Sequence, residues 1–528
     1  MKRISIILAS LLAAAGAFAQ NLNPEVQVTN EYQTRLDDVA KQGPEMAVPD
    51  SLLQFDYHFD YSVFDSPYKG SYEFSPYSVT ITPDPRPYDG RKLYISGGAG
   101  YVLRPEFDLV WAAVDNKRFA LNVFAGGDGF MGSYRRVKPY VFHLDKPNMD
   151  QGWDFKSELG VDSRFSWGPV SFHAEAGYDG IYCGHELYHR ANCHAPYASL
   201  RFNYETEGVF AFKGGAKYRF VYDWLNGSTP YKDHEVLADF SLTARPVGDY
   251  RIVTDILMCY NNYYFAAGVR PHAIFQLGVF DVDAGLRLGW AAGRFTASPA
   301  ITATVHLLND YLQLYGGAVG QDHYTMYWDY KSKAHHYYGE MVDPLPVREI
   351  ADLYLGLNGH ADFGFQYDLK AGYRFLGDAP FWAIASNGLE TLVFQDCGLF
   401  HADLALSWAS ERFNLDGGVH FVKIPQGVDP GVFEPAMVTG SLKAGYNWRK
   451  RIFVDLLVDM STDRPAVNAG KTVIIPGYVN LGLRGEYRMS RYLSFWIKGS
   501  NLLNHDIRIS PLYSEAGPAV IVGATFSL

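Results

Sequence analysis

The residues His185-Glu186-Leu187-Tyr188-His189 match the HExxH pattern of zinc proteases, and His194 follows close behind. That chemistry needs two histidines on one helical face, a third ligand, and a glutamate poised over the metal-bound water. The segment holding the motif reads as a 17-residue loop between strands 170–178 and 196–206. One helical turn fits in such a loop; the longer buried helix of a catalytic site does not. We read the match as incidental in a chain with 16 histidines, and keep His185, His189 and His194 only as metal-ligand candidates. A second constellation is Asp56, His58 and Asp60, which share one face of an extended segment. Opposite them lie Phe55, Tyr57, Phe59 and Tyr61. Polar side chains at period two more often form a hydrated face than a metal site, and that is the reading adopted. The sequence has no Ser-His-Asp arrangement, no carboxylate pair at telling spacing and no glycine-rich phosphate cradle. Neither an enzyme nor a bound cofactor is expected.

Whatever positions these residues is built of strands. Over Pro518 to Leu528, Val520, Val522, Ala524, Phe526 and Leu528 fall on one face. Ala519, Ile521, Gly523, Thr525 and Ser527 fall on the other. An unpaired apolar strand invites aggregation in water. The final strand of a membrane barrel instead pairs with the first and closes the cylinder. The same rhythm begins near Arg91, with Leu93, Ile95, Gly97, Ala99 and Tyr101, and returns at Phe413, Leu415, Gly417, Val419 and Phe421. Short polar turns at 115–117, 167–169, 206–208, 247–249, 308–310, 410–412, 449–451 and 490–491 alternate with longer connections. Those lie near 128–150, 179–195, 223–233, 320–350, 377–395, 423–434 and 501–517. The pattern predicts an all-β fold, a transmembrane antiparallel up-and-down β-barrel over residues 91–528. It has about 22 strands, with roughly 16 to 20 also open because glycines blur the region 262–310. Its own side chains cannot fill so wide a cylinder.

Composition agrees. Aromatics are 16% of the chain, with 38 Tyr and 10 Trp, residues that prefer the two membrane–water interfaces. Lys2 and Arg3, the apolar run Ile4 to Ala15, and Ala17-Phe18-Ala19 read as a signal peptide over residues 1–19. Residues 20–90 lack the barrel rhythm and end in Pro83, Pro85 and Pro87; they read as an N-terminal extension in the periplasm or the lumen. A net charge of −11 argues against nucleic acid as a partner. Cys183 and Cys193 flank one predicted loop, and a disulfide or two free thiols are both open.

The stretch Ser494 to Asn504 reads Ser-Phe-Trp-Ile-Lys-Gly-Ser-Asn-Leu-Leu-Asn, followed by Tyr513, Gly517-Pro518 and the Gly523–Leu528 strand. This arrangement resembles the end of a TonB-dependent receptor barrel, over roughly residues 475–528. That family carries a folded plug domain before the barrel, and residues 20–90 show no plug-like pattern. Glu25 to Thr29 faintly resembles the segment that docks the energising protein, and the chain ends in Leu528 where the family usually has Phe. A barrel of this look without a plug is similar to outer-membrane proteins of Bacteroides-type bacteria.

The resemblance implies transport of a nutrient or small ligand across the outer membrane. The absence of a plug pattern keeps a second expectation open: a non-transporting accessory or scaffold subunit of an outer-membrane assembly or export complex. Its partners would be outer-membrane lipid and periplasmic or lipoprotein subunits. The aromatic face of Phe55, Tyr57, Phe59 and Tyr61 is then the candidate docking surface, by strand addition. The segment 320–350 is dense in aromatics, among them Tyr327, Trp328, Tyr330, Tyr337 and Tyr338. It is either a contact surface for glycan, lipid headgroup or protein, or a loop folded inward to constrict the pore.

Overall fold

A computed structural model describes residues 92–528 apart from short stretches, the longest being 137–147 and 336–344. Hydrocarbon offers no hydrogen bonds, so a spanning sheet must close on itself and satisfy every backbone group internally. The main sheet holds 23 strands, all paired antiparallel to their neighbours. One of them, Tyr513–Ala516, lies beside Phe119–Arg136 and outside the circuit, which leaves 22 strands in the barrel. Sequence neighbours pair all the way round, from Leu93–Tyr101 to Ala519–Ser527. The last strand then pairs with the first, from Tyr94 opposite Ser527 to Tyr101 opposite Val520. Leu93 and Leu528 finish this seam with reciprocal backbone hydrogen bonds of 2.9 and 2.8 Å.

The two faces separate as the alternation dictates. Val520, Val522 and Phe526 are exposed on the outer face, while Ala519 and Ile521 are buried on the lumenal one. In Glu390–Ala409, exposed Phe400, Leu404 and Leu406 face outward and buried His401 faces inward. At Gly523 the Trp496 ring lies against the backbone, and an added Cβ would come within 2.2 Å of it. One rim carries the short turns together with Leu528. There Arg449 and Lys450 both take positive φ, as a tight turn of the primed class requires.

The opposite rim departs from the sequence reading. Strands Phe119–Arg136, Asn148–Trp167, Val170–His185, Phe365–Ile384 and Glu390–Ala409 run for 18, 20, 16, 20 and 20 residues. Much of what was expected as loop at 128–150, 179–195, 223–233 and 377–395 is therefore paired strand. A tilted membrane crossing needs about 9–11 residues. Beyond it water can wet the outer face too, so strict alternation lapses while the backbone ladder continues. Two inserts sit at this rim: a short helix, Tyr327–Lys331, and a hairpin of Arg464–Asn468 with Lys471–Ile475.

Candidate functional site

The lumen wall is lined by paired charges. On five adjacent strands, from Gln313–His323 to Phe413–Lys423, they link into one chain. Asp352 receives Arg374 Nη2 at 3.1 Å and Lys370 Nζ at 3.2 Å, and its Oδ1 lies 2.8 Å from His401 Nε2. Glu349 Oε2 bridges Arg374 Nε, at 3.4 Å, and His323 Nε2, at 3.0 Å. On the other side His401 Nδ1 is 3.3 Å from Asp403, which also meets His420. Buried charges persist only when paired. The period-two pattern supplies the pairing by aligning inward residues across neighbouring strands. Further pairs recur round the circuit: Arg270 with Asp283 at 2.9 Å, Arg219 with Asp179 at 2.8 Å and Lys498 with Glu106 at 2.8 Å.

Above this wall, the segment after His323 turns inward and crosses to the far strands. Asp329 caps the short helix by accepting from Met326 N at 2.9 Å. Lys331 Nζ lies 2.9 Å from Asp223 Oδ2, the two side chains being 2% and 0% exposed. Tyr327 donates its hydroxyl to the same carboxylate, and Trp328 N donates to Glu235 at 2.8 Å. The Arg219 guanidinium stands 4.7 Å from the Trp328 ring. Tyr264 donates to Thr325 O at 3.0 Å, and His335 Nδ1 lies 2.8 Å from Asp154. Burial pushes the Lys331 ammonium down, and the Asp223 carboxylate outweighs it and holds the group above its ordinary value. Tyr327, Trp328, Tyr330 and Ala334 join one buried apolar cluster. It contains Ile181, Cys193 and Val221 of the wall, Trp382 and Leu392 of the tall strands, and Ala466, Val473 and Ile475 of the hairpin. The segment thus bridges the mouth as a lid, tied at several points round the rim.

The residues singled out from the sequence do not converge on one place. Tyr327, Trp328 and Tyr330 are buried in the lid; Tyr337 and Tyr338 lie outside the described residues, as do Phe55, Tyr57, Phe59, Tyr61 and His189. His185 ends a strand in extended backbone, not the helix that an HExxH site needs. His194 lies within the next strand, with its Nδ1 2.5 Å from Tyr178 Oη. The 17-residue loop expected there is a tall hairpin, because the glycines at 177, 180 and 184 let the ladder continue under Tyr197, Tyr182 and Trp153. Among the described residues no group of three or more His, Cys, Asp or Glu side chains is placed to hold a metal. Cys183 and Cys193 are free thiols: their strands pair Cys183 with Ala191 and Ile181 with Cys193, so the two are not opposite each other. The wall network and the Asp223–Glu235 socket were missed. The inward parity of each strand gave their facing, but not which distant segment would meet them.

No protein-family model and no curated protein matches the chain. Solved structures do match. The siderophore receptor PirA of Acinetobacter baumannii superposes with a TM-score of 0.60 at 12% identity, over 83% of this chain and 80% of that one. The copper transporter OprC gives 0.61 at 13% identity, over 83% and 80%. The FrpB iron transporter of Neisseria meningitidis gives 0.60 at 10% identity, over 83% and 81%. The fold is that of a TonB-dependent receptor barrel. At these identities the likeness is one of architecture.

Proposed function

We propose that this protein is an outer-membrane barrel that passes a nutrient or other small polar ligand, with the segment 324–335 as its gate. The observation that carries the reading is the lumen. A 22-strand cylinder leaves space that side chains do not fill, and its wall presents ion pairs, not an apolar core. Receptors and transporters of siderophore, copper and iron share the architecture. Residues 1–19 are then the export signal, and residues 20–90 an N-terminal extension in the periplasm or the lumen. The deciding experiment is conductance of the purified protein in planar bilayers. Wild type should conduct poorly, and a variant with 324–335 replaced by a short Gly-Ser linker should open a steady pore. Equal conductance in the two would sink the gate.

A second reading rests on the same lid. A mouth closed by a packed apolar cluster also suits a scaffold subunit whose lumen never opens. Mild-detergent purification from native membranes separates the two, since a scaffold brings partners in fixed stoichiometry and a transporter comes alone. No catalytic role is proposed.

A further inference from the structure

The place where the lid docks has the chemistry of a binding site. Asp223 is fully buried on the lumenal face of Phe210–Leu225, and Glu235 is nearly so on the adjacent strand. Asp233 is buried one inward position from Glu235. Three carboxylates thus crowd one patch of wall. The patch's own cation, Arg219, is held by Asp179 at 2.8 Å and lies over Trp328. Glu235 accepts from the Trp328 backbone, and Asp233 from the backbones of His234 and Asn262 and from the Tyr231 hydroxyl, and among the described residues neither has an ion pair. Asp223 is met by a cation, and that cation comes from outside the wall: the Lys331 ammonium of the lid. Its Oδ1 is buried and without a hydrogen-bond partner among the described residues, so the carboxylate has acceptor capacity to spare. On the wall side Tyr231 stands opposite Asp223 in register and 6.3 Å from Tyr263, and with the lid in place Tyr231 lies 4.3 Å from Tyr327.

Removing the lid from this arrangement would expose a carboxylate-rich, aromatic-sided recess with no counter-cation on Asp223. Water would solvate that carboxylate while the recess is open, but covering it again unpaired is costly, so the closed recess needs a cation in it. We propose that this socket is a binding site for an organic ammonium group, and that Lys331 occupies it as the chain's own stand-in until a ligand replaces it. The inference rests on the gated-transport reading and names the ligand class for it. Ammonium fits better than a metal ion, because the aromatic flank and the single directly engaged carboxylate suit a shaped, weakly hydrated cation.

Native cysteines provide the test. Cys183 and Cys193 are both buried beneath the lid, and Cys183 Sγ lies 3.6 Å from His335 O. Alkylation of Cys183, read peptide by peptide in the full-length protein in detergent, therefore reports lid release. Cadaverine should speed labelling of the wild type, and a short lysine-bearing peptide will show whether free amines or peptides are preferred. Lys331→Met should label roughly tenfold faster without any amine, since a charge-assisted pair is lost and Asp223 keeps only the Tyr327 hydroxyl from the lid. Lys331→Arg should stay protected. Asp223→Asn combined with Lys331→Met should regain protection and lose its response to amines, because neither charge remains. Labelling that ignores both amine and peptide, or protection of Lys331→Met equal to wild type, would overturn the proposal. Thiol labelling needs no passage through the barrel, so a failure of transport would leave this result standing. Heat-modified gel mobility confirms that each variant is a folded barrel.

Discussion

Asp352 is the residue on which the wall network turns, touching Arg374, Lys370 and His401. Arg374 and His401 are 1% and 0% exposed, so removing the carboxylate leaves buried Arg374 to Glu349 and buried His401 to Asp403. Asp352→Ala should lower barrel stability by about 3–5 kcal/mol, read as a shifted urea midpoint of unfolding. An unchanged midpoint would mean that lumenal water serves those charges and the network is not structural. Gly523 makes a steric demand instead. With the Trp496 ring against its backbone, Gly523→Val must displace that ring from the closing seam, and the folded fraction on a gel should fall.

Adjacent positions in one strand test which solvent each face meets. In Val438–Trp448, Leu442 is exposed on the outer face, while Ser441 pairs in register with Asp459 on the lumenal face. Leu442→Arg should cost about 2–4 kcal/mol if it lies near the bilayer midplane. Ser441→Arg should be tolerated, because buried Asp459 Oδ2 has no partner among the described residues and can receive the new cation. Equal costs at the two sites would contradict the assigned faces. These faces were legible in the sequence, as were the short turns and a strand number near 22, since each follows from a local period of two. Strand height was not, because Gly177, Gly180 and Gly184 interrupt the side-chain alternation without interrupting the ladder. Nor was the lid. Tyr327, Trp328 and Tyr330 read alike whether they face solvent or a socket some hundred residues away in sequence, as Asp223 and Glu235 are from them.

For the whole molecule the question is what controls passage. If residues 20–90 contribute no plug, a chain lacking them should insert, close at Leu93 and conduct as poorly as wild type. A large rise in conductance on that deletion would locate the barrier in the extension and not in the lid. The seam itself also sets an order of events. Ser96 and Thr525 meet through their hydroxyls at 3.0 Å although 429 positions separate them, whereas most barrel pairings are hairpins between consecutive strands. Loop-closure entropy therefore falls almost wholly on one joint. Until the final strand exists, every intermediate is a curled ribbon with two raw edges, each able to recruit another chain. Such a ribbon stays open to those contacts until Ala519–Ser527 is in place to pair with Leu93–Tyr101. The last nine strand residues act as a completion mark, without which the earlier ones cannot be sealed.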